Sequence, residues 1–285
     1  MAHILVMGGL NADEVLPVDA APRAGAHLRA GPSHVRPGGG GANASVALRL
    51  AGHRVTLWAA VGDDADGRWL IDTCAALCLD THGLHALPGA TTNRPLILVD
   101  PDGERTLIAR RSLPHDAVPA PPPDHPADAL LVKTFNAAFA PMMAAWAAAG
   151  TLVVAHAPPS TLEMWPATVW VTSEREQTEA ERADPWGWAR TRAGDSLRWL
   201  VVTRGAEGAE ALGPAGERIL VPAAPVARVV DTTGAGDVFA AGLTHALITG
   251  APIDAALATA AHWAGRTIQA EGSLPPEDLL GDPVP

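Results

Sequence analysis

The amino-acid sequence predicts an α/β protein: a largely parallel sheet flanked by helices, with a small second sheet beside it. Three observations carry this. Apolar runs and helical patterns alternate over residues 3–79, as βαβ units require; residues 24–35 and 93–110 are strand-rich with no helix between strands; and residues 236–271 are almost all alanine-rich helix.

Each element has its own reason. Residues 3–8 are an apolar run ending in Gly8-Gly9, as in a strand buried on both faces. Residues 43–52 place Ala44, Val46, Ala47, Leu48, Leu50 and Ala51 at the spacing of a tightly packed helix. Residues 55–61 form the next strand, closed by Gly62-Asp63-Asp64, and 67–79 return to helix. In the second strand-rich segment, Asp100-Pro-Asp-Gly103 is a hairpin turn. Residues 114–126, with Pro121-Pro-Pro123 inside, make a stiff surface connector. Beyond it, 129–133, 152–155, 169–172 and 199–203 are strands and 137–149 is a helix. Arg228-Val229-Val230 ends a further strand before the helices 236–250 and 253–271. No fixed-period repeat is present, which excludes a solenoid.

A chain of 285 residues, 48% hydrophobic, can bury a substantial core. Its net charge of -11 speaks against a nucleic-acid backbone as partner, since tracking phosphates needs basic surface. Cys74 and Cys78 fall on one face of a helix as buried, reduced thiols, with no metal-ligand partners nearby in sequence. There is no basic leader before Ile4 and no apolar run long enough to span a bilayer, so the expected location is cytoplasmic.

Four stretches carry chemistry. In Asp231-Thr-Thr-Gly-Ala-Gly-Asp237, the N–H groups of Gly234, Ala235 and Gly236 stand at a helix N-terminus, where free donors attract an anion. Asp237 beside that anion makes sense as a general base, whereas a helix cap after an ordinary turn is the plainer alternative. Asn11 and Asp13, after Gly8-Gly9-Leu10, replace the glycines of a dinucleotide fingerprint with groups that suit polyol hydroxyls, or simply an Asx turn. Gly38-Gly-Gly-Gly-Ala-Asn43 implies a close backbone approach; it is no Walker A loop, because Lys133 is the only lysine. Glu176, in Ser173-Glu-Arg-Glu176, suits Mg²⁺ held through water, the alternative being a solvated helix start.

Together these residues resemble the ribokinase-like, or PfkB, family of carbohydrate and nucleoside kinases. Asp231 to Asp237 looks like the family's C-terminal signature; Gly38 to Asn43 and Val61-Gly-Asp-Asp-Ala-Asp-Gly67 resemble its N-terminal one. The resemblance runs from Gly8 to about Pro275. It implies a single doubly wound domain over 1–285 with a small β-sheet lid, its strands drawn from about 13–35 and 91–111. It further implies Asp237 as catalytic base, Gly234, Ala235 and Gly236 as the anion hole, and Asn11, Asp13, Gly39, Gly40 and Asn43 on the sugar. Ser173, Thr203, Gly205, Gly208 and Gly236 fall on the nucleotide, and Asp231, Thr233 and Ala270 on a K⁺ ion. Four positions depart from the pattern: Ser173 stands for an asparagine, Gly40 for a lysine of ribokinase, Phe135 for a sugar-binding glutamate, and Thr267-Ile-Gln-Ala270 for Arg-x-Gly-Ala. The changes at Gly40 and Phe135 point away from ribose itself.

The expected activity is ATP-dependent phosphorylation of a hydroxymethyl group on a sugar or sugar-like molecule, with Mg²⁺ and a candidate K⁺ site. One alternative is a nucleoside kinase, with Phe135 or Trp58 stacking a base. Another, of a different class, is a catalytically weak sugar-binding or regulatory protein on the same scaffold. A phosphosugar is disfavoured because Arg110-Arg111 is the only adjacent arginine pair on the sugar side. An exposed lid edge suits pairing into a homodimer.

Overall fold

Side-chain alternation along His3–Met7 (β1) sets two cores: Ile4 and Val6 face one apolar cluster, Leu5 and Met7 the other. The computed structural model describes residues 1–281 apart from 103, 111, 115, 116, 123, 124 and 126. After β1 come β2 (Asn11–Pro17), β3 (His34–Gly38), α1 (Gly40–Leu50), β4 (Arg54–Gly62), α2 (Ala65–Ala76) and β5 (Leu84–Leu87). There follow β6 (Leu96–Val99), β7 (Arg105–Ile108), β8 (Ala129–Val132), α3 (Ala140–Ala148), β9 (Leu152–His156) and β10 (Val169–Ser173). The chain ends through α4 (Glu179–Ala183), α5 (Pro185–Ala193), β11 (Trp199–Thr203), β12 (Ala209–Leu212), β13 (Arg218–Val221), α6 (Ala235–Ile248) and α7 (Ile253–Thr267).

The large sheet has the order β13-β12-β11-β10-β9-β8-β1-β4-β5. It is parallel from β5 to β11, with β12 and β13 added antiparallel at one edge. Residues of α1, α2, α6 and α7 join the first core, and those of α3 and α5 the second, so helices cover both faces. Fully buried Trp165 and Trp170 lie in the second core, giving at least these tryptophans a packing role. From β1 the chain goes to β4 on one side and to β8 on the other. This is the switch in strand order outside which α/β proteins open a crevice. A second sheet, β3-β2-β6-β7, is fed directly by β1 through Gly8–Leu10.

The 61–67 signature has a structural reason. Asp64 caps α2 by accepting from Gly67 N (2.8 Å), and it also accepts from Thr92 N (2.8 Å) and Thr92 Oγ1 (2.6 Å). The β4–α2 turn is thereby tied to the segment that enters the second sheet.

Several sequence expectations need correction. Residues 228–230 are loop, with Val230 N donating to Ile268 O at 2.7 Å, because the β12–β13 hairpin occupies the sheet edge. Residues 24–33 form no strand beyond an Ala30–Val18 bridge, while the stretch from Asn11, readable as a turn, is β2. Cys78 lies past the end of α2 with φ 57°, exposed, so it does not share a helix face with buried Cys74. The β6–β7 hairpin is present, Asp100 Oδ1 accepting from the N–H groups of Asp102 and Glu104; Gly103 itself lies outside the described residues, as do Pro123, Pro126 and Arg111.

Candidate active site

Backbone crossings build the floor of the crevice. Gly39 adopts φ 98°, and a Cβ there would come within 2.5 Å of Gly9 O, which itself accepts from Gly41 N (3.0 Å) and Ala42 N (3.3 Å). Only glycine allows α1 to start against the end of β1 in this way. Gly234, with φ 79°, makes the matching turn into α6, where a Cβ would meet Ser273 O at 2.3 Å. Both helix starts thus converge on the carboxyl ends of β1 and β8.

Between them and the second sheet lies a cavity of about 400 Å³. The large sheet and its helices contribute Gly39, Gly40, Asn43, Lys133, Phe135, Thr233 and Asp237; Asn11, Asp13, Asn93, Leu107 and Arg110 come from the second sheet and its flanks. Five expected sugar-side residues are therefore gathered around Asp237. Asn43 Nδ2 donates to Asp237 Oδ2 (2.9 Å), and Lys133 Nζ lies 3.0 Å from Asp237 Oδ1. One buried polar atom of the cavity lining, Asn43 Oδ1, has no hydrogen-bond partner among the described residues. Asp13 is 4% exposed; burial pushes its carboxyl up, Arg36 draws it down, Asp237 and Asp231 raise it again, and the result is about 6.

At the start of α6, Ala235 N makes a long bond to Thr232 O (3.4 Å), and a Cβ added to Gly236 would meet nothing within 4 Å. The space over this helix end is open.

Of the expected nucleotide-side residues, Gly236 lies in the first turn of α6, whereas Ser173, Thr203, Gly205 and Gly208 stand apart from this cavity, along the ends of β10 and β11. Thr203 Oγ1 donates to Thr172 O (3.2 Å), joining those two strands. Gly205 and Gly208 both have positive φ, at 56° and 99°. Ser173 and Glu176 form a capping box, Glu176 Oε2 accepting from Ser173 N (3.2 Å) while also meeting His156 Nε2 at 3.1 Å. The His156 hydrogen bond chiefly holds the Glu176 carboxyl at about 2, against its burial. Among the described residues no group of three His, Cys, Asp or Glu side chains is placed to hold a metal. One half-exposed carboxylate is nonetheless what Mg²⁺ asks for when it arrives with phosphates and waters.

The K⁺ site implied by resemblance does not fit these residues. Asp231 Oδ1 lies 2.6 Å from Arg105 Nη1, and Oδ2 lies 3.3 Å from Arg36 Nη2; Thr233 N and Gly272 N donate to the same carboxylate. Burial pushes Asp231 up, but the Thr233 hydrogen bonds and the two guanidinium groups outweigh it and hold the carboxyl low. A further cation there would meet two positive charges already in place. Ala270 lies on a separate cavity of about 200 Å³ with Arg266, Gln269 and Asp278.

Trp58 is also not where a stacked base would need it. Its indole N–H donates to Pro119 O (2.8 Å), and its ring lies against His85 and His125. Sequence reasoning passed over Lys133, His156, Arg36 and Arg105, none of which stands in a glycine-rich motif; a lone lysine just past an apolar strand was the one available signal.

A crevice at a strand-order switch, roofed by a second sheet and holding a carboxylate at an open helix N-terminus, is where an α/β protein binds a small ligand and an anionic group. The chain belongs to the pfkB family of carbohydrate kinases, whose family model matches residues 1–138 and 172–278. It is 29% identical to an ATP-dependent ribose-1-phosphate kinase of Halopiger xanaduensis, the match covering 98% of this chain and 97% of that protein. Ribokinase of Cryptococcus neoformans var. grubii serotype A, solved with ADP, superposes with TM-score 0.77 at 25% identity, covering 98% of each chain. A Burkholderia thailandensis nucleoside kinase, solved with inosine, shares the fold with TM-score 0.78 at 20% identity, over 95% of this chain and 92% of that one. The protein is thus an ATP-dependent carbohydrate kinase with a ribokinase-like fold. No helix among the described residues is long and apolar enough to cross a membrane.

Proposed function

We propose that this kinase phosphorylates the hydroxymethyl group of a sugar or sugar-like molecule, with Asp237 as general base. The observation that carries the reading is the convergence of Asn11, Asp13, Asn43 and Asp237 on one cavity in which buried Asn43 Oδ1 lacks a partner. A buried polar atom without a partner suits a ligand that brings hydroxyl donors. Gly39 and Gly40 keep the floor free of side chains, so hydroxyls reach the backbone. Asn43 fixes the Asp237 carboxylate.

The acceptor hydroxyl gives its proton to Asp237 as its oxygen bonds to the γ-phosphorus, and the bond to the ADP oxygen breaks. N–H groups of Gly234, Ala235 and Gly236 receive the charge that develops on the phosphoryl oxygens. Ser173, Thr203, Gly205 and Gly208 line the nucleotide. Glu176 is the residue that would hold Mg²⁺ through water, and the ion supplies neutralisation of phosphate charge. The second sheet serves as the lid that keeps water from competing with the acceptor.

A second reading, a nucleoside as acceptor, is favoured by the apolar wall of Phe135, Leu107, Leu113 and Val118 on the same cavity. The Halopiger relative is named for ribose-1-phosphate, and Arg110, 3.2 Å from Glu14 on the cavity's second-sheet side, is the residue here that could meet a sugar phosphate. ATP consumption measured over free sugars, ribose-1-phosphate and nucleosides separates these acceptors; turnover with nucleosides alone would overturn the sugar reading. With the best acceptor, Asp237→Asn should lower kcat by about 10²–10⁴-fold. An unchanged kcat would remove Asp237 from the role of base.

A further inference from the structure

Lys133 is the only lysine in the chain, and it stands at the carboxyl end of β8 with its side chain 8% exposed. Its ammonium lines the cavity 3.0 Å from Asp237 Oδ1. On its other side it lies 3.5 Å from His156 Nδ1, and His156 Nε2 lies 3.1 Å from Glu176 Oε2. With Nδ1 accepting from the ammonium, the ring hydrogen belongs on Nε2 and points at Glu176, a tautomer assigned from the network. A continuous row thus runs from Asp237 at the acceptor side to Glu176 at the nucleotide side, with the ammonium in the middle.

Neutralising Asp237 is too small a task for this placement. That carboxylate is 21% exposed, sits in the first turn of a helix and already accepts from Asn43, whereas burying an ammonium is costly unless its charge is used. Among the described residues, Arg36 and Arg105 are paired with Asp231, and Arg110 lies on the second-sheet side beside Glu14. Room at the corner comes from Gly40, where a Cβ would stand 2.8 Å from Asp237 Oδ1.

We propose that Lys133 is a catalytic residue of phosphoryl transfer, its ammonium contacting a non-bridging oxygen of the γ-phosphoryl group as that group passes from ADP to the acceptor. Before ATP arrives the ammonium rests on Asp237. As Asp237 takes the hydroxyl proton and loses its charge, the attraction of Lys133 shifts to the phosphoryl oxygens; the lysine keeps all its protons. A flexible ammonium with three donors suits this exchange. His156 is a positioning residue that holds Lys133 on the path to Glu176. The proposal rests on Asp237 as the base.

The test compares binding of the β,γ-imido analogue of ATP with binding of ADP, both with Mg²⁺, to the wild-type chain, Lys133→Met, Lys133→Arg and Asp237→Asn. Lys133→Met is expected to weaken the analogue about tenfold or more while changing ADP less than about twofold, and to lower kcat about 10²-fold with acceptor KM little changed. Lys133→Arg should recover part of both losses. Equal binding of the analogue by Lys133→Met and wild type would overturn the proposal, and so would a parallel loss of ADP binding, which marks a structural role. Asp237→Asn retaining kcat would remove the base while leaving the analogue-against-ADP contrast of Lys133 to stand on its own result.

Discussion

Asp13, proposed to meet the acceptor, carries a cost in stability that can be measured. It is buried on β2 with its carboxyl raised to about 6, above the ordinary value of about 3.9. The unfolded chain therefore loses this proton first as pH rises. The Asp13 contribution to stability is full below about pH 4 and is lost by the time pH has passed about 6. Asp13→Asn should accordingly melt at a higher temperature than the wild type near neutral pH and at the same temperature near pH 4. As the ionised form is the better acceptor for hydroxyls, acceptor KM should rise as pH falls through about 6 in the wild type and stay flat in Asp13→Asn. Equal melting temperatures at neutral pH would show that the carboxylate is not strained by burial. Asn11, Asp13, Asn43 and Asp237 were legible because each follows a glycine-rich turn, in which Gly8, Gly39 and Gly234 pass close to other backbone. Lys133 and His156 were not, because they meet through the parallel pairing of β8 with β9 and through α6, which no local spacing reports.

At the scale of elements, the turn between α1 and β4 packs on α6 through a histidine pair. His53 Nε2 lies 2.8 Å from His245 Nδ1, and the His245 ring stacks on Trp263 of α7. Burial lowers both imidazoles from their usual value, His53 also through the charge of His245. The neutral forms are the folded ones, so this contribution is complete above about pH 6.5 and is lost as pH falls through the lowered folded values. Urea unfolding followed from pH 7.5 downward should lose stability below about pH 6.5, less steeply in His245→Gln. A slope unchanged by that substitution would assign the acid limb elsewhere. Helices α1, α6 and α7 were readable from alanine-rich periodicity, whereas α4 and α5, in a polar stretch, were not. The β12–β13 hairpin was not, because Glu210 inside it is buried against Arg204 (2.5 Å) and Arg218 (2.5 Å), and a buried carboxylate breaks the apolar pattern that marks a strand.

Across the whole molecule, the two sheets are fastened at Asp231. Arg36 of β3 and Arg105 of β7 reach from the second sheet to this one carboxylate, just ahead of the α6 turn, and Arg105 also bonds Thr232 Oγ1. Their guanidinium groups already neutralise the carboxylate expected to hold K⁺. Replacing K⁺ by tetramethylammonium at constant ionic strength should leave kcat and the melting temperature unchanged, whereas Arg105→Gln should raise acceptor KM by loosening the roof. Activation by K⁺ in the wild type would contradict the guanidinium pairing. The sequence by itself determined the parallel α/β architecture, the second sheet and the glycine turns that carry Asn11, Asn43 and Asp237, since periodicity and backbone permissiveness are local properties. Only the tertiary structure decided what surrounds those residues: Lys133 on Asp237, His156 beside it, and two arginines on Asp231. Charges pair across space, between strands and helices that the chain brings together from positions far apart.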